Sequence, residues 1–279
     1  MPTPILLLHG FWHGAWCWTP VLTHLAAVAR VAVAVDMAGH GLNAQRPDSL
    51  YRRPFDPQAL ATQPSPVAGV GLDQAADLLL SQIGQVGRGE PVTVVAHSMG
   101  GTVLTRVAQQ APDLVAHAVY LAAFMPASDL PAGAYSLVSE YAGDLLSGCV
   151  RSDPLAAGAA RLDTTSPDRE YRGRLRAALY GDVDEATAEA AIALLSPDAP
   201  SLVAIGATTL TADGWGRVPR TYVVCSRDRA LPPAVQQKFI QEADAAFPDN
   251  PTSVVTIDAS HSPLLSMPHV VADIIGKLG

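Results

Sequence analysis

The sequence predicts an α/β fold: a mostly parallel central sheet with helices on both faces. Two observations carry that expectation. Six short apolar runs, Ile5-Leu8, Val31-Val35, Val92-Ala96, Ala118-Leu121, Thr221-Cys225 and Ser253-Ile257, are bounded by turn residues and show no in-and-out alternation. Such runs fit strands covered on both sides, the pattern of parallel sheets. The stretches between them carry apolar residues at helical spacing: Val21, Leu22, Leu25 and Val28; Ala75, Leu78, Leu79 and Ile83; Val103, Leu104 and Val107; Val235, Phe239 and Ile240; and Val270, Val271, Ile274 and Ile275. Each set falls on one face of a helix. Strands that alternate with such helices form parallel crossovers, which place helical layers on both sides of the sheet.

Two stretches interrupt this rhythm. Pro47 to Gly71 holds five prolines, several arginines and aspartates, and little apolar periodicity. It is expected to be a long surface excursion. Pro126 to Val218 shows helical pieces at Leu175-Tyr180 and Ala186-Leu195 but no convincing strand before Thr221. An insertion of that size between two strands is a candidate lid. The expected organisation is therefore a core of residues 1-125 and 219-279 with a helical cap, residues 126-218, inserted before the last two strands.

Bulk properties narrow the function. A chain of 279 residues buries a large core without disulfides or metals. Its 18 basic against 26 acidic residues give a formal net charge of -8, which repels phosphate backbones and anionic membranes. Nucleic acid and membrane partners are not expected. Cys17, Cys149 and Cys225 have no C-x-x-C spacing and an odd total, so neither a disulfide framework nor a thiolate metal site is indicated. The start, Met-Pro-Thr-Pro, has no basic region before the apolar run and no small-residue cleavage site after it. The longest weakly polar tract, Val115 to Met125, is shorter than the roughly 20 residues a membrane span needs. A cytoplasmic location is the expectation.

The chemistry centres on T-V-V-A-H-S-M-G-G-T-V-L, Thr93 to Leu104. If the first part is a strand and Gly100-Gln110 a helix, Ser98 occupies a tight strand-to-helix turn. That turn forces a strained backbone and requires small residues two positions before and after, here Ala96 and Gly100, with Gly101 following. The hydroxyl is then presented at the carboxyl edge of the sheet, with the Met99 N–H at a helix N-terminus. Ser98 could instead act only as an N-cap. A nucleophilic serine needs a base and an orienting acid, in the chain order serine, acid, histidine. His261, in D-A-S-H-S-P directly after the last strand, is the expected base; His269 lies within a helical pattern. Asp228, in C-S-R-D-R-A-L-P after the Thr221-Cys225 strand, is the expected acid. Asp258 more naturally shapes the turn before His261, and Asp244 sits in a helix. A second oxyanion donor should come from the loop after the first strand, where Gly10 permits a turn that points the Phe11 N–H beside that of Met99. His9 and His13 have metal-like spacing but no third partner in sequence, so packing and turn hydrogen bonds are their expected roles.

With Ser98, Asp228, His261, the H-G loop and D-M-A-G-H-G at Asp36 to Gly41, the chain resembles the α/β-hydrolase superfamily over nearly its whole core. Three segments, H-G-F-W-H-G-A-W-C-W, Y-V-V-C-S-R-D-R-A-L-P and D-A-S-H-S-P-L-L-S-M-P, together resemble its methyl esterase and hydroxynitrile lyase group and the bacterial esterase relatives. The resemblance implies an eight-stranded sheet, here without its first strands, a cap over Ser98, and an acyl-enzyme mechanism that uses no cofactor. The partner it implies is a small ester with an apolar or aromatic body, and the only macromolecular partner left open is a second copy of the chain. Gly10, Trp12, Phe124, Met125, Trp215 and Leu231, together with Phe11, are the pocket candidates. Ala96 and the Pro47-Gly71 insertion depart from the plant members. The lyases carry a threonine at the place of Gly10 and a lysine after the catalytic histidine, where this chain has Ser262. Esterase is therefore the first reading, a cyanohydrin-cleaving lyase the second, and a non-catalytic ligand receptor the third.

Overall fold

The computed structural model describes residues 3–278, so Met1 and Pro2 of the N-terminal segment lie outside it. Six parallel strands form the sheet: β1 (Ile5–Leu8), β2 (Ala32–Val35), β3 (Val92–His97), β4 (Val115–Leu121), and, after a long insertion that contains the short β5 (Ala159–Arg161) and β6 (Asp198–Pro200), β7 (Arg220–Cys225) and β8 (Ser253–Ile257). Their order is β2-β1-β3-β4-β7-β8.

The absence of alternation in these runs has a direct cause. Successive side chains of a strand point to opposite faces, and both faces are covered. Leu6, Leu8, Val94, Ala96, Tyr120 and Tyr222 enter one core cluster. Ile5, Leu7, Val95, Val119, Leu121 and Val223 enter another on the far side. Full burial holds for β1, β3 and β7 but not for the two edges. There β2 and β8 are largely half-buried or exposed, because an edge strand has a neighbour on one side only. Val28 also departs from expectation: it follows the helix Thr19–Ala27 as its cap and is 64% exposed.

The stretch between β4 and β7 corrects one reading and extends another. Its helices run Arg169–Leu179 and Glu185–Leu194, close to the expected pieces. The expectation of no strand fails, since β5 and β6 pair antiparallel, Arg161 opposite Asp198. Three-residue strands leave too short a pattern for periodicity to register. The Pro47-Gly71 excursion is also more than surface. It holds a short helix, Pro57–Thr62, whose N-cap Asp56 accepts from Gln58 and Ala59 N–H, and it buries Leu50, Leu60 and Val67.

One buried side chain joins the two departures. Arg161 donates through Nε and Nη2 to the Asp198 carboxylate at 2.6 and 2.7 Å, and through Nη1 to the Leu60 and Gln63 carbonyls at 2.6 and 2.9 Å. Ser65 N–H adds a bond to Ala157 O. Removing one member of such a pair leaves a buried charge uncompensated. Arg161→Met is expected to lower unfolding free energy by about 3–5 kcal/mol, measured by denaturant titration. A loss below about 1 kcal/mol, the worth of a surface pair, would contradict that role.

Candidate active site

The turn after β3 is as tight as the sequence requires. Ser98 has φ 52, in the left-handed region, and the helix Gly100–Gln110 starts two residues later. The turn is braced by Ser98 N–H to Leu121 O at 3.3 Å and by Phe124 N–H to Ser98 O at 3.0 Å. Two neighbours can only be glycine here. A Cβ on Gly10 would lie 2.5 Å from Ser98 Cβ, and one on Gly100 would lie 2.4 Å from His9 O.

Ser98, His261 and Asp228 come from three separate loops at the carboxyl ends of β3, β8 and β7, and the fold brings them into one hydrogen-bonded chain. Ser98 Oγ lies 3.1 Å from His261 Nε2, and His261 Nδ1 lies 2.7 Å from Asp228 Oδ2. Both His261 and Asp228 are almost fully buried. The other carboxylate oxygen, Oδ1, accepts from Ala230 and Leu231 N–H at 2.8 and 2.9 Å. Gln236 completes this environment and was not singled out in the sequence: its Nε2 donates to Asp228 Oδ2 at 3.2 Å and to Leu231 O at 2.8 Å, while Oε1 accepts from Cys225 N–H. A glutamine in a helix gives no sequence signal for that task. The competing acids lie elsewhere. Asp258 pairs with Arg227 at 2.8 Å, and Asp244 accepts from Thr252 N–H. His269 is exposed on a terminal helix beside His24.

The chain faces a small cavity of about 70 Å³ lined by Phe11, Trp12, Met99, Phe124 and Leu231, joined by Tyr141, Leu146 and Ala230. Among the described residues the backbone N–H groups of Phe11 and Met99 donate to no protein acceptor, so two unspent donors border Ser98. Tyr141 and Leu146 come from irregular turns of the insertion, where no periodicity marks them. Three expected lining residues are elsewhere, one of them Gly10, which packs against Ser98 and does not line the cavity. Trp215 starts a short helical turn, Trp215–Arg217, ahead of β7, and its N–H donates to Gln109 Oε1 near the end of the helix Gly100–Gln110, away from the cavity. Its Nε1 donates to Tyr120 OH at 2.7 Å and its ring lies under the Arg220 guanidinium. Met125 is wholly buried in the core one residue beyond Phe124 and does not reach the cavity.

The insertion also touches the loops that carry the acid and the base. Tyr141 OH donates to Ala230 O at 3.2 Å and Leu145 N–H to Arg229 O at 2.8 Å. Asp182 accepts from Ser260 N–H at 2.9 Å and from the Ser260 hydroxyl, one residue before His261.

The model of the Alpha/beta hydrolase family matches residues 5–274. Methylesterase 4 of Arabidopsis thaliana is 30% identical, with 98% of this chain and 95% of the relative aligned. Methyl jasmonate esterase 1 of Vitis vinifera is 25% identical over 94% of this chain and 91% of its own. Among solved structures, the pyrethroid hydrolase PytH superposes with a TM-score of 0.74 at 22% identity, covering 98% of this chain and 96% of that one. Polyneuridine aldehyde esterase gives 0.68 at 19%, covering 99% and 98%. The chain belongs to the α/β hydrolase family. Its curated relatives set it among the carboxylesterase-type hydrolases.

Four more imidazoles surround the site, and among the described residues no three His, Cys, Asp or Glu side chains converge as metal ligands. His9 donates from Nδ1 to Gly10 O and accepts at Nε2 from Met37 N–H. His13 bonds Phe11 O and Tyr180 OH, His40 bonds Ala38 O, and His97 Nε2 bonds His261 O at 2.8 Å with its ring 4.6 Å from that of His261. Burial lowers the pKa of His13 and of His40 to about 4 and holds His9 and His97 well below the usual histidine range. The same burial has a cost in acid. The unfolded chain takes up protons below pH 6.5 that the folded chain refuses, so stability is complete above that value and declines as pH falls toward about 4. Denaturant midpoints measured between about pH 7.5 and about pH 4.5 should therefore fall, and His40→Gln should flatten the decline. Parallel curves for the two proteins would remove His40 from this explanation.

Proposed function

We propose that the chain is a serine carboxylesterase that hydrolyses small or medium neutral esters with an apolar body through an acyl-enzyme. The observation that carries this reading is the buried Ser98–His261–Asp228 chain opening onto an apolar cavity beside two unspent backbone donors. Asp228 holds His261 with its Nδ1 protonated, which leaves the Nε2 lone pair facing Ser98 Oγ. Ser98 attacks the ester carbonyl while His261 takes its proton. The Phe11 and Met99 N–H groups receive the developing oxyanion. His261 then protonates the departing alcohol, and a water activated by the same nitrogen releases the acid. The apolar lining favours uncharged substrates, since burying an unpaired charge is unfavourable. In this reading the 126-218 insertion is the lid, and Phe124, Tyr141, Leu146 and Leu231 set the size of the group accepted.

The lyase alternative meets a steric obstacle at Gly10. Any side chain there runs into Ser98 Cβ, so the extra hydroxyl donor that the lyases place in this loop does not fit without moving the nucleophile. Ser262, where those enzymes carry a lysine, is uncharged and fully buried.

Ser98→Ala should abolish labelling by a fluorophosphonate and lower kcat for p-nitrophenyl acetate by several orders of magnitude. Labelling that persists would place the nucleophile elsewhere. Asp228→Asn should lower kcat by about 10⁴, whereas Asp258→Asn should leave it within a few-fold. The reverse order would assign the acid to Asp258. Cyanide release from mandelonitrile should not exceed background; robust release with negligible ester turnover would establish the lyase instead, and tight ligand binding with neither activity would point to a receptor.

A further inference from the structure

His261 is only as well placed as the loop that carries it, and one carboxylate of the insertion grips that loop at the adjoining residue. The loop runs between β8 and the helix Pro263–Ser266. Arg227 N–H donates to Ala259 O at 3.0 Å, and His97 Nε2 donates to His261 O at 2.8 Å. Between those two carbonyls, both donors of the buried Ser260 go to Asp182: the N–H to Oδ2 at 2.9 Å and the hydroxyl to Oδ1. Ser262, on the other side of the base, adds no side-chain hold, since its buried hydroxyl has no partner among the described residues. Hydrogen bonds to an ionised carboxylate are roughly twice as strong as neutral ones. The Asp182 side chain is only 11% exposed, so little water competes for it.

The segment that carries Asp182 is itself anchored in the site. It joins the helices Arg169–Leu179 and Glu185–Leu194. Two residues before Asp182, the wholly buried Tyr180 bonds His13 Nε2 at 2.8 Å. His13 Nδ1 carries the proton that bonds Phe11 O at 2.9 Å, so Nε2 is the acceptor and the Tyr180 hydroxyl the donor. One short connection of the insertion thus ties the loop of Phe11 to the loop of His261.

We propose that Asp182 is a positioning residue for ester hydrolysis: by holding Ser260 it keeps His261 Nε2 within proton-transfer distance of Ser98 Oγ. The proposal rests on the serine esterase reading above. Asp182 does not line the cavity, so its effect falls on the chemical steps and not on substrate binding. The cation that faces it, Arg227 at 3.6 Å, keeps Asp258 at 2.8 Å as a partner when Asp182 is changed. A substitution at Asp182 therefore tests the grip on Ser260 without stranding a charge.

The test is hydrolysis of p-nitrophenyl acetate by Asp182→Ala, Asp182→Asn, Ser260→Ala and the Asp182→Ala/Ser260→Ala pair, with kcat and KM separated and the rate of fluorophosphonate labelling followed. Misplacing a reacting group by about 1 Å costs about 100-fold in rate. Asp182→Ala should lower kcat and the labelling rate together by about tenfold or more, with KM within about twofold. Asp182→Asn should recover most of that loss, because its Oδ1 accepts from Ser260 N–H while its Nδ2 donates to the Ser260 hydroxyl. In the Ser260→Ala background Asp182→Ala should cost less than in the unaltered chain, since the two residues share one contact. A kcat for Asp182→Ala within about threefold of the original would overturn the proposal, as would a loss carried by KM alone. An Asn variant as slow as the Ala variant would overturn it by assigning the effect to the charge of Asp182, and strictly additive losses in the double variant would overturn Ser260 as the route. No p-nitrophenol release by the unaltered protein would instead overturn the esterase reading, and the positioning role with it.

Discussion

The close passage of three backbone segments at Ser98 is the constraint on which the catalytic edge depends. A serine at φ 52 is strained, and it persists only because its surroundings over-determine it. Here β3 feeds the turn from below, the helix beginning at Gly100 leaves it above, and the loop after β1 passes within contact distance at Gly10. Backbone bonds to Leu121 and from Phe124 tie the same residue to the end of β4. The lack of side chains at Gly10 and Gly100 is therefore what lets the loop after β1 and the turn after β3 approach so closely.

Around that fixed point the supporting layer is mostly buried and polar, and the acid is its most fully hydrogen-bonded member. Asp228 has four partners, two of them backbone amides of its own loop, so its carboxylate has little freedom to turn away from His261. The insertion between β4 and β7 reaches both moving parts of the chain, through Tyr141 and Leu145 to the acid loop and through Asp182 to the base loop. The Pro47-Gly71 excursion is fastened to this insertion by Arg161. The segment that supplies Tyr141 and Leu146 to the cavity is thus the same one that hydrogen-bonds to the loops of Asp228 and His261. The neutral histidines His97 and His13 fill the space behind His261 with groups that hydrogen-bond without bringing charge.

Much of this was legible in the sequence, for identifiable reasons. A strand covered on both faces reads as a continuous apolar run, and all six sheet strands showed it, even though the edge strands β2 and β8 are more exposed than the pattern implies. Ser98, Asp228 and His261 stood out because each follows a strand end in a fixed chain order, a relation that survives in one dimension. The pocket was less legible. Trp215 attracts attention as a large aromatic, yet its position before β7 instead of after it commits it to packing on Tyr120 and Arg220. Tyr141 and Leu146 were missed because they sit on turns with no period, and Arg161 because a buried arginine in a three-residue strand looks like any surface arginine until its partners Asp198, Leu60 and Gln63 are brought together.

The most direct measurement of the central claim, that the strained serine is acylated during turnover, is mass spectrometry of the protein quenched in acid while it consumes p-nitrophenyl acetate, followed by peptide mapping. The expected result is a single acetyl group on the peptide that contains Ser98, absent once substrate is exhausted. Acetyl on another residue at the same kinetic stage, or steady turnover with Ser98 never modified, would contradict it.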